Sequence, residues 1–172
     1  GLTQPALAAL ADADPDWEAV TVIVQEGQRC QLFYDTVARF KCPVEVIDAP
    51  SDRLGELLNR SDIALLSGGI STYEASALGV PAIVLCQNDR ERIRMEQFER
   101  IGSIILLGLG LEVTHSQLIR TLKRIADDLN LRSRMSAAGQ QVIDGYGVDR
   151  IIHIVNDLYR DQGTISLRSG IS

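Results

Sequence analysis

Five short runs of consecutive apolar residues alternate along the chain with longer segments whose apolar positions recur every three to four residues. A continuous apolar run between polar residues is typical of a strand buried on both faces, and the longer spacing is typical of a helix with one buried side. The predicted strands are residues 19–25, 44–48, 62–66, 81–86 and 103–108. A short helix is predicted before the first strand, and the other predicted helices are 27–40, 51–61, 71–79, 89–102, 114–128, 131–147 and 148–162. Ser51 or Asp52 is the predicted N-cap of the second of these, and Thr114 that of the helix at 114–128.

This regular alternation of strand and helix predicts an α/β domain. We expect a Rossmann-like, doubly wound parallel sheet of about five strands, flanked by helices and followed by a helical C-terminal segment. In such sheets ligands bind beyond the carboxyl ends of the strands, near the point where the strand order reverses. A single domain is predicted over residues 1–163, and residues 164–172, which are polar and contain glycine, are predicted to be a flexible tail.

The amino-acid composition argues against several classes of function. The net charge is -6 and the isoelectric point about 4.9, which argues against a surface for nucleic acid or an anionic membrane. No apolar run approaches the roughly 20 residues that span a bilayer, and no signal sequence is recognisable, so we expect a cytoplasmic protein. The three cysteines show no CxxC spacing and there are two histidines, so neither a metal site nor a cofactor is expected.

The stretch LSGGISTYE, residues 66–74, carries the chemistry that the sequence offers. Glycines at the end of a buried strand allow positive φ angles and let a ligand approach the backbone, and the amides that open the next helix favour phosphate. Ser71 and Thr72 add hydroxyl donors, whereas a carboxylate at Glu74 suits the vicinal hydroxyls of a ribose. The same residues also fit a plain strand-to-helix turn, in which Ser71 and Glu74 form a capping box.

Residues 57–88, LLNRSDIALLSGGISTYEASALGVPAIVLCQN, resemble the C-terminal nucleotide-binding domain of family 28 GT-B glycosyltransferases. The stretch is still closer to the related UDP-sugar hydrolase of pseudaminic acid synthesis and its spore-coat polysaccharide relatives. The shared pattern is an Asp before the strand, a Gly-Gly loop, hydroxyl residues, a Glu, and then Leu-Gly-x-Pro. The matching residues are Asp62, Ser67, Gly68, Gly69, Ser71, Thr72, Glu74, Leu78, Gly79 and Pro81.

The resemblance implies a role for each matching position. Ser67, Gly68, Gly69, Ser71 and Thr72 would line the diphosphate of a UDP-sugar and Glu74 would hold its ribose. Main-chain groups at Ile47 and Asp48 would contact the uracil. Gln87 and Asn88 would face the donor sugar.

Two stretches depart from the family pattern. Gln25, Glu26 and Gly27 follow the first predicted strand, where the family has a glycine-rich loop, so phosphate contacts from that side are in doubt. Asp89, Glu91 and Arg92 follow the fourth strand in place of the family's amide pair. The arginines of this segment, at 90, 92 and 94, are expected to form a solvated helix face paired with Glu91 and Glu96, and the alternative is that they reach a phosphate or an acidic sugar.

The resemblance implies that the catalytic base lies in an N-terminal domain of roughly 150 further residues. We therefore expect this chain, which starts at Gly1 with no Met, to be the C-terminal half of a longer protein. It would bind the UDP-sugar donor of a glycosyltransferase in polysaccharide or cell-envelope glycan synthesis, with that N-terminal domain as its partner, and would be inactive alone. The alternatives are half of a nucleotide-sugar hydrolase, or a non-catalytic interaction module with a degenerate nucleotide site.

Overall fold

The computed structural model describes residues 2–13, 16–25, 27–49 and 52–165. The described strands are β1 (Val20–Val24), β2 (Val44–Asp48), β3 (Ala64–Leu66), β4 (Ala82–Cys86) and β5 (Ile104–Leu109). The described helices are α1 (Thr3–Ala13), α2 (Gln31–Val37), α3 (Leu54–Asn59), α4 (Ile70–Leu78), α5 (Asp89–Ile101), α6 (His115–Asp127), α7 (Leu129–Val142) and α8 (Gly147–Ile165). The predicted α/β class is confirmed, since the strands pair in parallel and helices flank them.

The pairing of the strands differs from the single five-stranded sheet that the sequence predicts. In the described residues, β1 pairs with β2 in one parallel sheet, and β3, β4 and β5 pair in that order in a second. No ladder joins β1 to β3 in this part of the chain. All five residues of β4 are buried, as expected for the middle strand of the larger sheet.

Three apolar clusters hold the helices against the two sheets. One face of the larger sheet packs on α4, α5 and Leu58 of α3. Its other face packs on α1, α6 and α7. The smaller sheet packs on Phe33 of α2 and on Leu7 of α1, so α1 belongs to both of the last two clusters. Helices therefore cover both faces, as the doubly wound prediction requires.

The ends of some helices differ from the prediction. Helix α3 begins at Leu54 with Arg53 as N-cap and has no side-chain cap. The predicted cap at Asp52 is therefore wrong, and the other candidate, Ser51, lies outside the described residues. Thr114 does cap α6, and it forms a full capping box with Gln117.

The C-terminal helix α8 does not take part in the packed core of the domain. None of the three core clusters contains a residue of α8. The predicted tail at 164–172 overlaps the last two residues of α8, and its remainder, 166–172, lies outside the described residues. Over the part of the chain that the structure describes, no helix is both long and apolar enough to cross a membrane.

Candidate nucleotide site

The loop Ser67–Gly69 joins β3 to α4 at the carboxyl edge of the larger sheet. Helix α4 begins at Ile70, one residue before the predicted start at Ser71, with Gly69 as N-cap at φ −95° and ψ −165°. Among the described residues, no side chain accepts a hydrogen bond from the first turn of this helix. The predicted capping box between Ser71 and Glu74 is therefore wrong, because Ser71 already lies inside the helix. The first amides of α4 are left for a ligand or water.

The two glycines of this loop have different surroundings. Gly68 is buried, and a Cβ at this position would lie 2.8 Å from Cβ of Glu91 and 3.0 Å from both Sγ of Cys86 and Cγ of Met95. Gly69 has open space, its nearest neighbour being Oγ of Ser67 at 3.9 Å. Neither glycine has a positive φ angle, so the freedom that glycine allows at φ is not used in this loop. Gly68 is required by packing against α5, and Gly69 leaves the helix terminus accessible.

Thr72 fixes the loop from inside the fold. The residue is fully buried, and its hydroxyl donates a hydrogen bond of 2.9 Å to the carbonyl of Ser67. Its backbone amide donates to the carbonyl of Gly69. The hydroxyl proton is thus used within the protein, and the contribution of Thr72 that the geometry shows is to position Ser67 and Gly69.

Ser71 and Glu74 are placed differently on the same helix. Ser71 is half-buried in the first turn of α4, and Glu74 is exposed one turn after the loop. No described hydrogen bond or ion pair engages the Glu74 carboxylate. It is therefore open to a polar ligand that lies over the start of α4.

The turn after β4 borders the loop through Glu91. Asn88 is the N-cap of α5, and its Oδ1 accepts a hydrogen bond of 3.0 Å from the Glu91 amide. The Glu91 carboxylate in turn accepts a bond of 2.8 Å from the Gln87 amide. Asn88 thus has a structural role that the sequence analysis did not foresee. The side chain of Gln87 is exposed, and a sugar contact from either residue stays a prediction.

Ile47 and Asp48 lie at the carboxyl end of β2, in the smaller sheet. The structure therefore does not join them to the Ser67–Gly69 loop through any described strand pairing. Asp48 Oδ1 lies 2.6 Å from the guanidinium of Arg29, in the segment between β1 and α2. Sequence analysis missed Arg29, although a cation just after a strand is a recognisable signal for an anion site.

The arginine pairing predicted for α5 is confirmed in part. Arg92 pairs with Glu96 at 2.8 Å, as expected, but its second partner is Asp89 at 3.0 Å and not Glu91, whose carboxylate accepts from the Gln87 amide. Gln25 is exposed and Gly27 has a φ of +85°. Glu26, between them in the stretch that departs from the family pattern, lies outside the described residues.

Cys86 lies behind the loop, at the end of β4. Burial raises the pKa of this thiol to about 11, and the neighbouring Glu91 carboxylate adds to the shift. The group therefore stays protonated at neutral pH. Among the described residues no three His, Cys, Asp or Glu side chains lie close enough together to hold a metal ion.

The clearest surface depressions do not coincide with this loop. One is lined by residues at the amino ends of β1 and β2, among them Trp17, Phe40 and Cys42. A smaller one lies between α1 and the start of α6, lined by Leu2, Leu85 and His115. Neither depression is lined by a residue of the Ser67–Gly69 loop or of α4.

One curated relative is similar to the chain in sequence. It is 35% identical over 118 residues to the spore coat polysaccharide biosynthesis protein SpsG of Bacillus subtilis. The matched region covers 69% of this chain and 34% of that protein, so the chain spans about a third of the relative's length. No protein-family model matches the chain.

Solved structures share the fold at low sequence identity. A proposed UDP-N-acetylglucosamine 2-epimerase from Listeria monocytogenes superposes with a TM-score of 0.72 and 16% identity, covering 93% of this chain and 42% of the other. The glycosyltransferase of kitacinnamycin gives 0.68 and 18%, covering 91% and 38%. The glycosyltransferase VinC in complex with dTDP gives 0.60 and 19%, covering 91% and 40%. The predicted resemblance is therefore confirmed: the chain has the fold of one half of a GT-B protein and is similar in sequence to a protein of spore coat polysaccharide biosynthesis.

Proposed function

We propose that this chain binds the nucleoside diphosphate of a UDP-sugar and is the donor half of a glycosyltransferase of polysaccharide or cell-envelope glycan synthesis. The GT-B fold and the polysaccharide-biosynthesis relative support this class of activity. The other half of the enzyme would be an N-terminal domain of the same parent protein. The chain would bind the donor and would not turn it over alone.

The observation that carries this proposal is the uncapped start of α4. Gly69 leaves open space there, no side chain occupies the first amides, and the Glu74 carboxylate stands exposed one turn further on. A helix N-terminus attracts phosphate through its free amides and its positive dipole end. A carboxylate near the phosphates is unfavourable for them but suits a pair of ribose hydroxyls. The arrangement therefore matches a nucleoside diphosphate better than a free phosphate.

The same geometry has a use in sugar transfer. When an acceptor hydroxyl attacks the anomeric carbon, the bond from that carbon to the diphosphate breaks and its electron pair stays on the leaving phosphate oxygen. The amides of Ile70 and Ser71 would stabilise that added negative charge. The proton of the acceptor would pass to a base in the other domain. No metal is needed in this scheme, and the chain's three free cysteines fit a reducing, cytoplasmic compartment.

Calorimetric titration of the chain with UDP tests the proposal. Separate titrations with ADP, GDP, dTDP and NAD are the controls for selectivity. We expect saturable binding that prefers UDP. Glu74→Gln should weaken it about tenfold, since the ribose hydroxyls would then donate to a neutral acceptor and no longer to a charged one. The matched control is Glu99→Gln, an exposed glutamate on α5 away from the loop, which should leave the affinity unchanged.

The possible results distinguish an error in the placement of the ribose from an error in the proposed activity. Equal UDP affinity in Glu74→Gln and wild type would refute the ribose placement. No nucleotide binding by this chain or by the two-domain parent would refute the donor-half proposal. With the parent, release of UDP from a UDP-sugar without any acceptor would favour the hydrolase over the transferase.

A further inference from the structure

We infer that the space between β1 and β3 receives a sixth parallel strand, contributed by polypeptide that precedes α1 in the parent protein. This inference rests on the sheet geometry and on α1, and not on the proposed nucleotide. Four observations lead to it.

The first observation is that β1 and β3 each have an edge turned away from the strand that they pair with. The Val20 amide donates to the carbonyl of Pro43, and the Val24 carbonyl accepts from the amide of Ala49. Backbone groups alternate sides along a parallel strand, so those of Thr21 and Ile23 point away from β2. The same rule applies to β3, where the Ala64 amide donates to the Pro81 carbonyl.

The backbone groups of Leu65 therefore point away from β4. Within the described residues, no ladder occupies either of these edges. The two sheets thus each end on a strand whose donors and acceptors are available to a neighbour.

The second observation is the burial of those two strands. Leu65 and Leu66 are apolar and yet only half-buried, and Thr21 and Ile23 are exposed and half-buried respectively. The middle strand β4, by contrast, is buried along its whole length. Apolar edges that stay unpaired are an aggregation liability, which proteins normally cover or pair.

The third observation is the position of α1, which bridges the two sheets. Leu7 packs with β1 and β2, whereas Ala9 and Ala13 pack in the cluster that contains Ile83 and Leu85 of β4. A helix that covers both sheets lies across the space between them. It already buries one face of whatever occupies that space.

The fourth observation is the point at which the chain enters α1. The Leu2 side chain fills the space beside Gly110, just after β5, and the Thr3 hydroxyl lies 3.4 Å from Oε1 of Gln28, just after β1. Both contacts are at the carboxyl edge. Residues that precede α1 therefore reach it from the edge at which a parallel strand between β1 and β3 would end.

With these positions, the inserted strand, α1 and β1 form a β-α-β unit in chain order. Right-handed crossovers are nearly universal in such units, and they put successive helices on one face, as α1 and α2 are here. The strand order then becomes β2, β1, inserted strand, β3, β4, β5, a single doubly wound sheet. The order reverses between the inserted strand and β3, so the loop at Ser67–Gly69 lies at the ligand-binding crevice.

The chemistry of the occupant follows from this position. It should be a parallel strand of about five or six residues, rich in Val and Ile because both of its faces would be buried. A short connection should join it to Thr3. Since it would take the place of the first strand, Gln25–Gly27 would follow the second strand and would no longer replace a glycine-rich phosphate loop.

Amide hydrogen exchange tests the inference on two proteins: residues 1–172, and the same chain extended by the dozen residues that precede Gly1 in the parent. In the chain alone, the amides of Thr21, Ile23 and Leu65 should exchange on the order of 100-fold faster than those of Val22 and Val84. The extension should slow them to the rate of Val22. Protection of Val22 and Val84 in every sample shows that the protein is folded.

The matched control is the same extension with two alternating strand residues replaced by proline, which cannot donate to a ladder and should restore fast exchange. Slow exchange of Thr21, Ile23 and Leu65 in dilute residues 1–172 would overturn the inference, because the two sheets would then already pair. An extension that leaves these amides fast would also overturn it. Protection that appears in the unextended chain only with rising concentration would assign the space to a second copy instead.

Discussion

At the residue scale, the candidate site is held in shape by contacts that lie beneath it. Thr72 ties the loop to α4 through the Ser67 carbonyl, and Gly68 lets the loop lie flat against Glu91. These residues match the sequence pattern as closely as Glu74 does. A pattern of residue types therefore does not separate residues that touch a ligand from residues that support the loop.

The two glycines of the loop should differ in how strongly a substitution destabilises the protein. Gly68→Ala should lower the free energy of unfolding by about 1–3 kcal/mol, because its Cβ would press on Cys86, Glu91 and Met95. Gly69→Ser should change it by less than about 0.5 kcal/mol, because the space is open and Ser is a good N-cap. Urea denaturation measures both. Equal losses would show that the loop packs differently from the arrangement described above.

The cysteines should differ in reactivity. Cys30 is exposed, whereas Cys86 is buried with a pKa raised to about 11. Ellman's reagent at pH 8 should therefore modify Cys30 quickly and Cys86 only on unfolding, because the thiolate is the nucleophile. Cys30→Ser should remove the fast phase, and a fast phase that remains in this variant and disappears with Cys86→Ala would contradict the burial.

Ionisation of the Cys86 thiol should also lower the stability of the protein at alkaline pH. In the unfolded chain it ionises near its ordinary value of 9.0, below the folded value of about 11. The unfolded state thus loses its proton first, so the free energy of unfolding should fall between pH 9 and about 11. Cys86→Ala should flatten this part of the curve, which denaturation across the pH range would show.

At the element scale, most strands and helices could be predicted because each carries its own periodicity. The strand at 44–48 agrees with the structure to the residue, and α4 begins one residue before its predicted start. The gap between β1 and β3 could not be predicted, because spacing along one chain does not show which strands are neighbours. Arg29 and the capping role of Asn88 were missed for a related reason: their partners, Asp48 and Glu91, are known only from the fold or the local turn.

The packing of α4 on α7 can be tested at one backbone contact. A Cβ on Gly139 would lie 2.8 Å from the carbonyl oxygen of Ser76, a backbone atom that cannot turn aside. Gly139→Ala should therefore cost about 1–3 kcal/mol of stability. Gly55→Ala is the matched control, since Gly55 is exposed in α3 with nothing near its Cβ, and it should stabilise by about 0.5–1 kcal/mol. A loss in both variants would mean that helical glycine is needed for some other reason.

At the scale of the whole molecule, the chain divides into a body and a protruding helix. Up to Arg160, where the burial of side chains is described, the large apolar residues of α8 are exposed, and they are Val148, Ile151, Ile152, Ile154, Val155, Leu158 and Tyr159. Ile143, just before this helix, still packs on the core of the larger sheet. Among the described residues, the packing onto the three core clusters therefore extends to Ile143, and α8 adds no residue to them.

Ending the chain after Gly145 should consequently leave the domain folded. The thermal midpoint should stay within about 3 °C of that of residues 1–172, because a domain of this size loses roughly 2–4 °C per kcal/mol and α8 adds no residue to the core. Ending it after Asp128 should abolish cooperative unfolding, because the truncation removes α7 and with it Met135, which is buried in the second core cluster. Differential scanning calorimetry distinguishes the two truncations. A fall of more than about 8 °C for the first would mean that α8 folds back onto the body, and its apolar side would then belong to the domain core and not to a surface that another chain or domain can cover.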